Sequence, residues 1–98
     1  MKINMSTVEE QCEKAFEKLE ILMGSAETGW DGLSGDCDDD LNGEMVFKTM
    51  SNGGVRDNEF ADNIEHIFIA NNIPFKKGLQ HRVFIVKTSD FLKINDIN

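Results

Sequence analysis

Apolar positions recur at spacings of three and four near the start of the chain, where Val8, Cys12, Ala15, Phe16, Leu19 and either Leu22 or Met23 fall on one side of a helix. The spacing predicts a helix over residues 7–23. Ser6 with Glu9, or Thr7 with Glu10, fits the capping-box pattern at its start, and Gly24 can take the left-handed conformation that ends it. The periodicity then disappears over residues 25–43, a glycine- and serine-rich stretch that runs into an acidic cluster and reads as one long loop.

Residues 44–50 regain apolar, β-branched and aromatic character without a breaker and predict a strand, after which Ser51-Asn52-Gly53-Gly54 turns the chain. A second helical face, Phe60, Ile64, Ile67 and Phe68, broadened by Ala61 and Ile69, predicts a helix over 57–71. Asp57 or Asn58 would start it, and Asn71-Asn72 before Pro74 would stop it. So wide an apolar arc calls for a sheet or a second subunit against it. Residues 79–87, centred on Val83-Phe84-Ile85-Val86, are apolar on both faces and predict a central strand. Residues 73–75 suit an edge segment turned by Lys76-Lys77-Gly78, and Ser89 would cap a short final stretch over 90–94. The expected architecture is α+β in a single domain over 1–98, with two helices on one face of a small, mainly antiparallel sheet and a long acidic loop after the first helix.

Charge changes this picture. Acidic residues outnumber basic ones 18 to 10, giving a net charge of −8. Residues 1–47 carry twelve acids against three lysines, a balance of −9, and residues 48–98 carry +1. A general basic surface for phosphates is absent, so direct nucleic-acid binding is not expected. The longest apolar runs are far below the roughly 20 residues of a membrane helix, and the first residues resemble no secretory or organellar leader, so the cytoplasm is the expected location. A one-sided negative field attracts basic partners.

The residues expected to meet such a partner are Glu13, Glu17 and Glu20 on the polar face of the first helix, with Glu27, Trp30, Asp31, Asp36, Asp38, Asp39, Asp40 and Glu44 after it. Trp30 has two readings: an amphipathic anchor among selecting charges, or a ring that closes over the core.

Asp38-x-Asp40-x-Asn42-Gly43 resembles the first half of an EF-hand calcium loop, with oxygen donors at positions 1, 3 and 5 and the turn glycine at 6. The resemblance covers six residues and then departs, because Thr49 stands where the bidentate Glu belongs and no helix precedes. It implies at most a weak calcium site from Asp38, Asp40, Asn42 and Glu44, and no other cofactor is expected.

Cys12 and Cys37 are too few for a disulfide framework, and with His66 and His81 they lack zinc-ligand spacing; reduced thiols are expected, Cys12 in the core and Cys37 in the loop. His66 stands four residues after Asp62, the spacing of a helical ion pair, and His81 reads as a rim residue. No nucleophile–base pair, phosphate loop or dinucleotide fingerprint is present, so no enzymatic activity is expected. The expected function is that of a non-catalytic acidic module that inhibits or modulates a protein with a basic, nucleic-acid-handling surface, the task of some small phage-encoded proteins. A weak calcium-binding module and a homodimeric assembly subunit, paired through the apolar face of the second helix, are the alternatives.

Overall fold

The computed structural model describes residues 7–25 and 31–98. Helix α1 spans Val8–Met23, and its N-cap is Thr7, whose hydroxyl accepts the Glu10 N–H at 3.0 Å while the Glu10 carboxylate accepts from the Thr7 backbone in return. Gly24 closes the helix at φ 84°, returning its N–H to the carbonyls of Glu20 and Ile21. The buried stripe is Cys12, Ala15, Leu19 and Met23, so Met23 and not Leu22 completes the inward face.

The expected uninterrupted loop over 25–43 is broken by a strand, β1, at Gly32–Gly35. It pairs antiparallel with β2, Glu44–Met50, in the register Gly32 to Met50 and Gly35 to Phe47. One apolar residue between glycines gives no strand signal; the pairing surface of β2 imposes the conformation. Gly35 makes the approach possible, since a Cβ there would stand 2.7 Å from the Phe47 Cβ and 2.8 Å from the Val46 carbonyl oxygen.

Helix α2 runs Asp57–Ala70, β3 is the pair Lys76–Lys77 and β4 is Val83–Lys87. The sheet order is β1-β2-β4-β3, antiparallel throughout, with β1 and β3 at the edges. The edge segment is therefore Lys76–Lys77 and not 73–75; Ile73 turns into the core instead. The last stretch forms a short helix α3, Thr88–Phe91, followed by a 3₁₀ turn over Leu92–Asp96. Ser89 does not cap it with its side chain. The Thr88 and Ser89 amides donate to the carbonyls of Gly43 and Leu41, at 2.9 and 3.1 Å, so the preceding loop's backbone performs the capping.

Alternation on the two central strands decides where the core lies. Met45, Phe47 and Thr49 of β2 and Phe84 and Val86 of β4 are buried, and Met45–Val86 and Phe47–Phe84 are cross-strand partners. They share one cluster with the inward stripes of α1 and α2 and with Phe91 and Ile94, which places the helices on one face of the sheet. Phe47 is the hub: its ring stacks on Phe84 at 5.3 Å and meets Phe16, Phe68 and Phe91 at 5.7, 6.4 and 5.3 Å. The opposite face carries Val46, 56% exposed, beside the half-buried Ile85. The apolar residues of α2 expected to seek a sheet or a second subunit, Phe60, Ala61, Ile64 and Phe68, are buried in this core, leaving Ile69 outside. Among the described residues no helix is long and apolar enough to cross a membrane.

Polar side chains fix the joints. Thr49, fully buried, donates its hydroxyl to the Asp57 carbonyl at 2.8 Å. Asp57 does not occupy the N-cap of α2, where Arg56 stands without a side-chain cap; its carboxylate reaches back to the Ser51 hydroxyl at 2.8 Å and to Arg82 Nη1 at 3.2 Å. Asn63 holds the Met23 carbonyl, and Asn95 holds that of Gln11.

Candidate functional site

Apart from Glu10, which caps α1, the described acids of the N-terminal half divide into two sets. The first set has structural duties. Glu20, expected on the open polar face, turns toward the sheet, where its Oε2 accepts the Leu33 N–H at 2.9 Å. Asp31 accepts the Asn52 N–H at 3.0 Å and lies 3.8 Å from Arg56 Nη1, with only 9% of its side chain exposed. Glu44 pairs across the sheet with Lys76 at 2.9 Å. These three carboxylates, expected among the partner-facing acids, are each engaged by a group of this chain. Glu27 and Trp30 lie outside the described residues.

The second set is without an ion pair among the described residues: Glu9, Glu13 and Glu17 along α1, and Asp36, Asp38, Asp39 and Asp40 after β1. Positions 9, 13 and 17 are four apart, so the helix stacks these carboxylates in one row. That row forms one wall of a groove of about 690 Å³, whose other wall is Gly35, Asp36 and Cys37. The floor is apolar: Phe16 and Leu33, both half-buried, rest on the core. Past Cys37 the groove continues into a second depression of about 400 Å³ bordered by Asp38 and Asp39.

Asp38 and Asp40 shape the outer end. Asp38 Oδ1 accepts the Asp40 N–H at 2.8 Å, Asp40 Oδ1 accepts the Asn42 N–H at 3.0 Å, and the Gly43 N–H returns to the Asp40 carbonyl at 2.9 Å. Each carboxylate thus uses one oxygen to build the turn. Asp38, Asp40 and Glu44 do not bring three ligand oxygens together. Among the described residues the groups that do converge within 4.8 Å are Asp62, Glu65 and His81, on α2 and just before β4. His81, not His66, is the partner of Asp62, at 2.7 Å. A cation is already present there: the Lys77 ammonium sits 3.5 Å from Glu65 Oε1 and 3.8 Å from the centre of the Phe84 ring.

The groove wall also holds a contact that the 24 intervening residues conceal from sequence reading. Cys12, wholly buried on α1, donates its S–H to Met45 Sδ at 3.8 Å and neighbours Cys37 and the Asp38 N–H. Burial pushes the Cys12 thiol well above its ordinary range, and the neighbouring Cys37 adds to this. Cys37 is also raised, mainly by burial and then by the charges of Glu13, Glu9 and Asp36, while the neighbouring Cys12 acts in the opposite direction.

Most basic side chains of the other half are ion-paired, some of them with acids of the first half. Arg56 chelates Glu59, Arg82 holds Asp57, and Lys76, Lys77 and Lys93 each face a carboxylate. The hydrogen-bonded fork of Arg56 holds the Glu59 carboxyl below the usual carboxylate range. Comparison with protein-family models, curated proteins and solved structures finds no match to this chain, so the site is read from its own chemistry.

Proposed function

We propose that this chain is a non-catalytic binding protein whose acidic groove between α1 and β1 receives a basic, amphipathic segment of another protein. The observation that carries this reading is the pairing of the Glu9–Glu13–Glu17 row and Asp36, all without ion pairs among the described residues, with the apolar floor of Phe16 and Leu33 between them. Apolar side chains of the partner would cover the floor while its lysines and arginines meet the walls. The floor supplies affinity through burial, and the walls supply selection and a fast, steered encounter.

Like charges four apart on a helix oppose its formation by a few tenths of a kcal/mol per pair, and the chain carries two such pairs in the row. A basic ligand converts this repulsion into attraction. Where the partner's basic surface normally meets nucleic acid, the carboxylates take the place of phosphates and binding is inhibitory.

The test is titration of the labelled protein with a short Lys/Arg peptide carrying alternate Leu and Phe residues, followed by amide chemical shifts at about 50 and about 500 mM salt. The reading expects shifts confined to the α1 row, Leu33 and residues 35–39, with affinity falling at least about tenfold at the higher salt. Shifts centred elsewhere, or an affinity indifferent to salt, would contradict it.

A further inference from the structure

None of the groove residues takes part in a second cluster of donor atoms, formed where α2 passes the turn between β3 and β4. Asp62 and Glu65 are three residues apart on α2, so the helix presents their carboxylates as neighbours. The turn after β3 is fixed by its own backbone: the Gly78 N–H donates to the Val83 carbonyl at 2.9 Å, and the Val83 N–H to that of Gln80 at 3.0 Å. His81, carried on this turn, meets the two acids. Its Nε2 stands 2.7 Å from Asp62 Oδ1, and one donor atom from each of the three residues lies within 4.8 Å of the others.

We propose that Asp62, Glu65 and His81 form a binding site for a zinc ion, which clips the middle of α2 to the β3–β4 turn. This inference uses only these side chains and their neighbours, and does not rest on the proposed protein partner.

The donor set selects the metal. One imidazole nitrogen with two carboxylate oxygens suits a borderline cation such as zinc, whereas calcium and magnesium prefer all-oxygen surroundings and gain little from the imidazole. Zinc takes such donors at about 2.0–2.2 Å, which spaces them about 3–4 Å from one another. The Asp62–His81 contact has to open slightly and the widest separation to close slightly. Asp62 and His81 are exposed, so both can turn, and a fourth coordination position faces solvent.

Lys77 supplies a second, independent observation. Its Nζ is buried over the Phe84 ring, 3.8 Å from the ring centre, and lies 3.5 Å from Glu65 Oε1, yet it makes no hydrogen bond among the described residues. The ammonium offsets part of the negative charge without a directed bond to either carboxylate, so a metal ion displaces no Lys77 hydrogen bond when it arrives. Like charge at this distance weakens the site, and that gives it a signature: removing the ammonium must tighten metal binding.

The experiment titrates the full chain, freed of metal by a chelator, with zinc chloride at neutral pH and follows heat, melting temperature and the imidazole nitrogen signals. One equivalent should bind, shift the ring nitrogens of His81 and not those of His66, and raise the melting temperature, since the ion favours the folded chain. Magnesium or calcium at the same concentration should do neither. His81→Ala and Asp62→Asn, both at exposed positions, should stay folded and weaken zinc binding at least about tenfold. Lys77→Met, which keeps an apolar stem over Phe84, should tighten it at least about threefold. His66→Ala should change nothing. Zinc binding that survives His81→Ala, that is lost with His66→Ala, that shifts Cys37 and the acidic groove instead, or that magnesium reproduces would each overturn the proposal, as would the absence of any binding at about 100 μM zinc.

Discussion

The carboxylate of Glu20 accepts the Leu33 N–H at 2.9 Å, so a side chain of α1 seals an amide on the outer edge of β1. An edge strand otherwise presents unpaired backbone groups to any passing strand. The contact also fixes the width of the groove, because it ties the last turns of α1 to the strand that forms the opposite wall. Glu20→Ala should cost about 1–2 kcal/mol, lower the melting temperature by several degrees and speed hydrogen exchange at Leu33. Glu20→Gln, which keeps an acceptor oxygen, should retain most of that stability. Equal exchange at Leu33 in all three proteins would show that the bond carries nothing.

Gly35 tests the close approach of β1 to β2. A methyl group there would meet the Phe47 Cβ at 2.7 Å and the Val46 carbonyl at 2.8 Å, both of them fixed parts of β2. Gly35→Ala should therefore destabilise by about 1–3 kcal/mol in denaturant melts. At Gly32 the obstructing atom is the mobile Glu20 carboxylate, and Gly32→Ala should instead reproduce the Glu20→Ala exchange pattern at Leu33.

The acidic row makes the opposite kind of prediction. Glu13 has a like charge four residues away on either side, so Glu13→Gln should stabilise the fold by about 0.5 kcal/mol, most visibly at low salt. Stability gained where binding is lost is the signature of a residue retained for function. A thermal melt that fell on this substitution would assign Glu13 a structural task.

Alkaline pH should reveal the buried thiols. Both cysteines have folded-state values raised above those of the unfolded chain, so above about 8.5 the unfolded chain releases protons that the folded one retains. Their stabilisation is complete below that pH and is lost as pH rises, at up to about 1.4 kcal/mol per pH unit for each thiol. Cys12→Ala should flatten the decline measured by urea melts between about pH 8 and 10. An unchanged slope would remove Cys12 as its source.

The elements legible in the sequence are those whose own side chains enforce them. The stripe of Cys12, Ala15, Leu19 and Met23 and that of Phe60, Ile64 and Phe68 make helices wherever a core is available, and alternation over residues 44–50 makes a strand. β1 was not legible because Gly32-Leu33-Ser34-Gly35 is held from outside, by β2 on one side and Glu20 on the other. Ser89 gave a false cap because loop carbonyls 46 and 48 residues upstream did the work. The acid count was readable, but its division was not: Asp31 faces Arg56 and Glu44 faces Lys76 only after the chain has folded. The meetings of Cys12 with Cys37 and of Asp62 with His81 likewise follow from tertiary placement, with no local spacing to announce them.

The groove reading is tested most directly by neutralising its walls without changing their shape. Glu13→Gln, Glu17→Gln and Asp36→Asn combined leave every described ion pair intact. Calorimetric titration of the basic amphipathic peptide at about 50 mM salt should give at least about fivefold weaker binding to this variant, with its melting temperature equal to or above that of the parent. Undiminished affinity in a variant that remains folded would contradict the account.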